Sequence, residues 1–243
     1  MVSLNGPTDI SGEKMSIELI SAPAATAARI RMSQGDVVTA EVGAMIAMSP
    51  QVVVETTSRS RGGKGGLLKG VKRLFSGENF FLNHFTSHGN QTEIILGPKL
   101  IGDIAHHRLD GGNLLVQASG WLASVGDIEI DTTWQGLGTA LFGGEGIFWV
   151  QCSGQGDVLL NSFGAIYEVE VDGEYVVDTS HIVAYEDTLT LNVTKASSGW
   201  IASFLSGEGL VCSFRGRGKL YCQTHSPKTF GKALGPKLRA RRQ

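Results

Sequence analysis

Apolar and polar residues alternate with a period of two along much of the chain, which predicts β-strands. In residues 127–131, Ile128 and Ile130 alternate with three carboxylates, so one strand face would be buried and the other solvated. Only residues 66–75 have apolar residues at helical spacing, and that stretch begins with glycine. The pattern therefore predicts an all-β protein with few short helices. Strands are predicted in three pairs: 37–41 with 52–56, 114–118 with 128–132, and 175–178 with 188–193.

A short motif of two apolar residues, a small residue, glycine and glutamate occurs three times. Its invariant pairs are Gly77 and Glu78, Gly144 and Glu145, and Gly207 and Glu208. The glutamates are 67 and 63 positions apart, a period long enough for a small subdomain. After each motif the sequence reads as a strand, a glycine-bearing turn and a second strand, with the turns at residues 87–90, 153–156 and 215–218. Three repeated β-sandwich or double-stranded β-helix-like subdomains, each with a hairpin, are predicted.

The repeats divide the chain into five segments. Residues 1–14 form a polar, flexible N-terminal segment, and residues 15–97, 98–164 and 165–227 form the three β repeats. Measured against the other two, the first repeat has eight to ten extra residues, which form a basic, glycine-rich insertion at 59–73. Residues 228–243 form a basic tail.

The Gly-Glu pairs have two interpretations. In the favoured one, glycine supplies an unusual backbone angle and the carboxylate accepts backbone hydrogen bonds, so the pairs hold the fold. In the other, Glu78, Glu145 and Glu208 converge near a pseudo-threefold axis and bind a cation or share protons, which would raise their pKa values.

Charge is strongly segregated although the net charge is only −2. The insertion contains no acidic residue, and neither does the chain after Glu208. An acidic body with two basic segments indicates self-association or capture of an anionic partner. The insertion is either a solvated loop or an anion-binding site; its candidate anion-binding residues are Arg59, Arg61, Lys64, Lys69, Lys72 and Arg73.

Composition favours a folded cytoplasmic protein. The chain is 42% hydrophobic and 18% charged, and it has neither an apolar run long enough to span a membrane nor a signal-like N-terminus. Cys152, Cys212 and Cys222 have no CxxC spacing and are expected to be buried thiols. A disulfide between Cys212 and Cys222 across a hairpin is a less favoured alternative.

The sequence contains no motif that predicts catalysis. His106 and His107 are adjacent, so on a strand they would point to opposite faces and could not easily share a metal ion. There is no GxSxG elbow and no Walker motif. We therefore predict a protein that is not an enzyme and has no catalytic, metal or cofactor-binding residues.

Several segments resemble one known family in their order and spacing. They are residues 41–45, 120–123, 135–138, 141–146, 162–164 and 184–188. From about Ile17 to Pro227 the chain is similar to an uncharacterised prokaryotic family related to the mitochondrial biogenesis protein altered inheritance of mitochondria twenty-four. The resemblance implies three tryptophan-attenuation-protein-like β subdomains around a pseudo-threefold axis and assembly into an oligomer. That family offers no agreed activity from which catalytic residues could be assigned.

Two functions remain open at this point. The leading prediction is a non-enzymatic scaffold or binding protein that forms a homo-oligomer, a trimer or larger. Its basic segments would meet an acidic protein, a nucleic acid or a membrane surface without spanning the membrane. The alternative is a ligand- or RNA-binding protein analogous to the tryptophan RNA-binding attenuation protein, which rests on fold analogy alone.

Overall fold

The computed structural model describes residues 10–12, 15–23, 25–59, 80–133, 149–194 and 211–238. These residues form fifteen β-strands and one α-helix, with a few turns of 3-10 helix. The strands are β1 (Ile10–Gly12), β2 (Met15–Ile20), β3 (Ala27–Met32), β4 (Val37–Glu41), β5 (Met45–Met48), β6 (Val52–Arg59), β7 (Phe80–Ser87), β8 (Thr92–Leu96), β9 (Ile104–Gln117), β10 (Trp121–Thr133), β11 (Trp149–Asn161), β12 (Ile166–Asp178), β13 (Ile182–Glu186), β14 (Leu189–Thr194) and β15 (Val211–Gln223). The helix α1 covers Pro227–Leu234.

The strands form two sheets in which every paired strand is antiparallel to its neighbour. The smaller sheet has the order β1-β2-β3-β8-β5. The larger sheet has the order β12-β15-β13-β9-β11-β10-β4-β7-β6, with β14 also paired to β15. The predicted all-β class with few short helices is therefore confirmed. In the smaller sheet β1, inside the segment predicted to be flexible, pairs with β2.

Two of the three predicted glycine turns are wrong. Residues 153–156 lie inside β11 and residues 215–218 inside β15, and each of these strands runs without interruption for thirteen residues. Gly154 and Gly216 have φ values of 111° and 128°, so glycine bends a continuous strand here instead of closing a hairpin. Residues 88–91 do form a turn, but the strands on either side, β7 and β8, belong to different sheets.

The three predicted strand pairs contain real strands with the wrong partners. In each case the two predicted partners lie on either side of a third strand, which comes later in the chain. Thus β7 lies between β4 and β6, β11 lies between β9 and β10, and β15 lies between β12 and β14. Alternation reveals that a segment is half-buried, but it contains no information about which strand lies beside it.

The core consists of three groups of buried side chains. One lies around β3, β4 and β8, the second around β9, β10 and β11, and the third around β13 and β15. Leu82 of β7 belongs to the second group, and Trp149 of β11 belongs to the third. The groups are thus joined by side chains that cross from one part of the sheet to the next.

Candidate functional site: the C-terminal basic helix

Helix α1 begins directly after the last strand and has clear start and stop residues. Ser226 is the N-cap, and its hydroxyl oxygen accepts a hydrogen bond of 3.2 Å from the backbone N–H of Thr229. Pro227 occupies the first helical position, where its missing N–H costs nothing. The helix ends at Leu234 and continues as a turn of 3-10 helix through residues 235–237.

The helix has one apolar face and one basic face. Phe230 and Leu234 are four residues apart, as are Lys228 and Lys232, and at 100° per residue the two pairs lie on opposite sides. Phe230, Leu234 and the following Leu238 are 46%, 38% and 62% exposed, and no residue of the helix is buried. An amphipathic helix normally covers its apolar face with the protein core, whereas this one leaves much of that face exposed.

The N-terminal half of the helix and the residues before it are held in place by aromatic and backbone contacts. The Phe230 ring lies 5.2 Å from that of Phe163, between centroids, and Phe163 also contacts the ring of His225 at 5.6 Å. The backbone N–H of His225 donates to the carbonyl of Phe163, and that of Thr224 to the carbonyl of Ala165. The helix is therefore held in a defined position while most of its surface faces solvent.

The lysines of the helix differ from the cations earlier in the chain in whether they form ion pairs. Seven arginine and lysine side chains before Lys228 form ion pairs: Arg29 and Arg31 with Glu18, Lys99 with Glu41, Arg108 with Asp157, Arg215 with Glu174, Arg217 with Asp172, and Lys219 with Glu168. Lys228, Lys232 and Lys237 form none with any other described residue. The sequence adds Arg239, Arg241 and Arg242 beyond the described residues. Among the side chains that the structure describes, the cations without an ion-pair partner are thus concentrated at this end of the chain.

The basic segment predicted after Glu208 contains fewer unpaired cations than the sequence indicated. Arg215, Arg217 and Lys219 belong to the acid-free stretch after Glu208, but they lie on β15 beside the acidic strand β12. Their partners are carboxylates on β12, so this part of the basic stretch is neutralised within the sheet.

Most residues predicted from the repeats and the insertion lie outside the described residues. This applies to Arg61, Lys64, Lys69, Lys72 and Arg73, and also to Gly77, Glu78, Gly144, Glu145, Gly207 and Glu208. Arg59 is the last residue of β6. The proposed anion-binding and repeat-structural roles of these residues stay predictions.

The adjacent histidines point to opposite sides of β9, as predicted. The Nε2 atom of His106 lies 2.7 Å from an oxygen of Asp157, while the Nδ1 atom of His107 lies 2.9 Å from the hydroxyl of Tyr221. Burial raises the pKa of Asp157, but hydrogen bonds from His106 and Arg108 outweigh it and hold the pKa below its usual value. Across the described ranges, no group of three or more histidine, cysteine or acidic side chains could hold a metal ion.

His107 and Tyr221 form a buried polar contact within the core. Their rings meet edge to face with centroids 5.7 Å apart. Burial lowers the pKa of His107 and raises that of Tyr221, so both side chains are held neutral near pH 7. Two neutral groups that satisfy each other's hydrogen bonds join β9 to β15, and the contact needs no ligand to explain it.

The cysteines are buried thiols, as expected. Cys212 and Cys222 lie near opposite ends of the single strand β15, so the alternative of a disulfide across a hairpin is wrong. Burial raises the pKa of Cys152 and of Cys212 to about 12, and that of Cys222 to about 11. Thiols with such values are poor nucleophiles at neutral pH.

Sequence reasoning missed the helix by treating residues 228–243 only as a basic tail. Its signals were present: a serine followed by proline, apolar and basic residues each repeated at four-residue spacing, and Gly235-Pro236 at the end. A count of charges registers the lysines, but it does not register Phe230 and Leu234, which lie between them.

Fold and site together define a small all-β protein of antiparallel sheets that presents a basic amphipathic helix. Residues 17–225 match the model of the mitochondrial biogenesis AIM24 family, and the chain belongs to that family. It is 30% identical over 209 residues to an uncharacterised protein of Streptococcus pyogenes serotype M6, a match that covers 84% of each chain. A crystal structure of a Streptococcus pyogenes protein superposes with a TM-score of 0.72 at 25% identity and covers 93% of this chain and 100% of its own. The family match ends at His225, just before the basic helix.

Among the described residues, no helix has the length and apolar character needed to cross a membrane.

Proposed function

We propose that this protein is a non-enzymatic, oligomeric scaffold that binds an acidic membrane surface through its C-terminal basic helix. The body would be three repeated, tryptophan-attenuation-protein-like β units, and the helix would be the part that meets the partner. The observation that carries the proposal is the contrast in ion pairing: the helix lysines lack described partners, whereas seven cations before them are each paired with a carboxylate.

Three equivalent irregularities in strand pairing support the repeat. The register shifts between Met45 and Ala47 where β5 pairs with β8. It shifts in the same way between Trp121 and Ala123 on β10, and between Ile182 and Ala184 on β13. The alanines are 76 and 61 residues apart, and the Gly-Glu glutamates 67 and 63; the insertion at 59–73 accounts for the longer first interval. An identical two-residue step in each part of the chain is what three copies of one ancestral unit would produce.

The combination of charge and apolar surface favours a membrane over a nucleic acid. A basic helix with exposed Phe230 and Leu234 can lie in the interface of an anionic bilayer, with its lysines at the headgroups and its apolar side chains below them. An RNA-binding surface would use its cations on phosphates and its aromatic rings for base stacking, and it would have no use for Leu234 and Leu238. Binding to RNA, the alternative suggested by fold analogy, has no comparable surface in its favour.

Vesicle co-sedimentation tests the proposal. The full chain is mixed with vesicles of phosphatidylserine and phosphatidylcholine, and separately with vesicles of phosphatidylcholine alone. Each lysine near an anionic surface contributes about 1 kcal/mol. Lys228→Ala combined with Lys232→Ala should therefore weaken binding to the anionic vesicles about 30-fold. Leu234→Ser with Leu238→Ser, which leaves the contact between Phe230 and Phe163 intact, should weaken it as well, whereas a purely electrostatic contact would be unaffected.

The matched control removes the same charge from cations that are already paired. Arg215→Ala with Arg217→Ala lowers the net charge equally, but both arginines are exposed and bound to carboxylates of β12. We expect little change in vesicle binding from this pair. Equal losses in both double variants would mean that only net charge matters, and no binding to anionic vesicles at low salt would end the proposal. Tight, salt-dependent binding to single-stranded RNA by the wild type, lost in the lysine variant, would favour the alternative.

A further inference from the structure

The larger sheet has three parts: β4, β6 and β7 form the first, β9, β10 and β11 the second, and β12 to β15 the third. Two contacts inside the chain join these parts in the same way. Residues 123–125 of β10 pair with residues 40–38 of β4. Residues 184–186 of β13 pair with residues 116–114 of β9. In both contacts the pairing begins at the alanine that ends the register shift, Ala123 or Ala184.

Each of the two edges that form this contact is present a third time, one in β5 and the other in β12, and neither has a described partner. Ala47 of β5 follows the same register shift as Ala123 and Ala184, yet among the described strands β5 pairs only with β8. Residues 175–177 of β12 occupy the position that residues 38–40 hold in β4 and residues 114–116 hold in β9. Within the described part of the chain β12 pairs only with β15, so its other edge is open.

Exposure shows that these two edges differ from their equivalents. Ala123 and Ala184 are 0% exposed, whereas Ala47 is exposed. Leu115 of β9 is 4% exposed, whereas the corresponding Val176 of β12 is 43% exposed. Tyr175 of β12 is likewise 40% exposed, whereas its counterparts Val38 of β4 and Leu114 of β9, in the two contacts that form, are 0% exposed.

The two open edges also lack the features that protect sheet edges. The earlier part of β12 carries four exposed or half-exposed carboxylates, Glu168, Glu170, Asp172 and Glu174, which discourage further pairing. Residues 175–177, between Glu174 and Asp178, are uncharged, with Tyr175 and Val176 exposed. Strand β5 is likewise uncharged and its four residues are all exposed, Met45, Ile46 and Met48 by 41%, 61% and 37%. Exposed, uncharged apolar edges of this kind indicate an interface.

We infer that residues 175–177 of β12 pair with residues 47–49, the last two residues of β5 and the one that follows, in a second copy of this chain. The contact repeats between copies the pairing that joins the units within one copy, and the inference rests on the oligomeric scaffold proposed above. A second copy fits because each chain carries one edge of each kind, and the pairing chemistry is the one the chain already forms twice. Such a contact is head-to-tail, so it builds a closed ring or a linear chain of copies.

Native mass spectrometry and light scattering of the full chain test the interface. Val176→Lys and Ala47→Lys each place a charge where the contact would be buried, at sites exposed in the single chain. Each variant should lose the higher-mass species and measure as a monomer of 25.8 kDa. Ile101→Lys is the control, since Ile101 is 77% exposed in the segment between β8 and β9, and it should keep the wild-type mass. Circular dichroism and melting temperatures close to those of the control establish that the variants are folded.

Mixing the two monomeric variants provides the decisive result. The Val176→Lys chain retains an intact β5 edge and the Ala47→Lys chain an intact β12 edge, so an equal mixture should form a dimer containing one of each. Two unrelated surface effects would not complement each other. If the wild type is oligomeric and both variants stay so, the interface is wrong and the oligomeric scaffold stands. If the wild type is a monomer in which both substitutions leave the mass unchanged, both the interface and the oligomer are wrong.

Discussion

Gly154 and Gly173 offer a matched pair of substitutions that separates backbone strain from steric conflict. Gly154 lies in β11 with φ of 111°, and Gly173 lies in β12 with φ of 110°. A Cβ at Gly154 would lie 2.2 Å from the carbonyl oxygen of Asp127 on the neighbouring strand β10. A Cβ at Gly173 would meet nothing within 4 Å. Both glycines lie where a long strand bends, and their φ values agree. The two Gly→Ala variants therefore differ only in whether the new Cβ collides with a neighbouring strand.

The expected magnitudes follow from these two environments. A residue other than glycine at such a φ costs about 1–3 kcal/mol, and this cost applies equally at both sites. At Gly154 the new methyl group also collides with a backbone atom that is held by the β10–β11 ladder and cannot rotate away. Forcing extra volume into a packed site costs about 1–3 kcal/mol more. Gly173→Ala should therefore lower the free energy of unfolding by about 1–3 kcal/mol, and Gly154→Ala by about 2–6 kcal/mol.

Urea denaturation followed by circular dichroism measures both changes. If the slopes of the unfolding transitions agree, the shift in midpoint gives the difference in free energy directly. Thermal melts should place Gly154→Ala below Gly173→Ala by about 2–4 °C for each kcal/mol of difference. Equal destabilisation of the two variants would refute the argument, because it would mean that the approach of β10 to β11 at this point contributes nothing.

Three further predictions concern the core. Burial lowers the pKa of His107, so on acidification the unfolded chain binds a proton at this side chain before the folded protein does. The contribution of His107 to stability should therefore be fully present above about pH 6.5 and should fall as the pH drops below that value. His107→Gln should flatten the fall in melting temperature between about pH 7.5 and 5.5. Trp149 is 0% exposed and its ring meets that of Tyr185 at 5.2 Å, so Trp149→Ala should cost about 3–5 kcal/mol in urea denaturation and Trp149→Phe clearly less. The three buried cysteines should react with a thiol reagent only after unfolding, and rapid reaction of the native protein at pH 8 would contradict their burial.

The alternating pattern of β10 shows how far periodicity can lead. Ile130 is buried and Ile128 half-buried, while the carboxylates between and beside them are exposed, as the alternation predicted. The same reasoning found β4, β6 and β14 close to their actual bounds, whereas of the thirteen residues of β12 it found only the last four. It succeeds because burial of one strand face depends only on which residues recur every second position.

The glycines of β11 and β15 show where sequence reasoning ends. A glycine between two β-like runs is equally compatible with a turn that reverses the chain and with a bend in a strand that continues. Which of the two forms depends on what lies beside the strand. In β11 the ladders to both β9 and β10 extend past Gly154 on either side, and these long-range hydrogen bonds keep the strand continuous.

The candidate site divides in a similar way. The sequence revealed the excess of positive charge near the C-terminus, but Arg215 and Lys228 look alike in a count of charges. Only the structure places Arg215 beside Glu174 and leaves Lys228 without a described partner. An ion pair between β12 and β15 joins residues about forty positions apart in the chain, and no local pattern encodes it.

The sequence by itself determined the all-β class, the family, the buried thiols and the opposed histidines, because each depends on composition, on local order or on a period of two. Only the tertiary structure decided which strands are neighbours, which cations are neutralised and which edges stay open. These properties arise from contacts between residues far apart in the chain, whose free energy depends on the simultaneous packing of several strands.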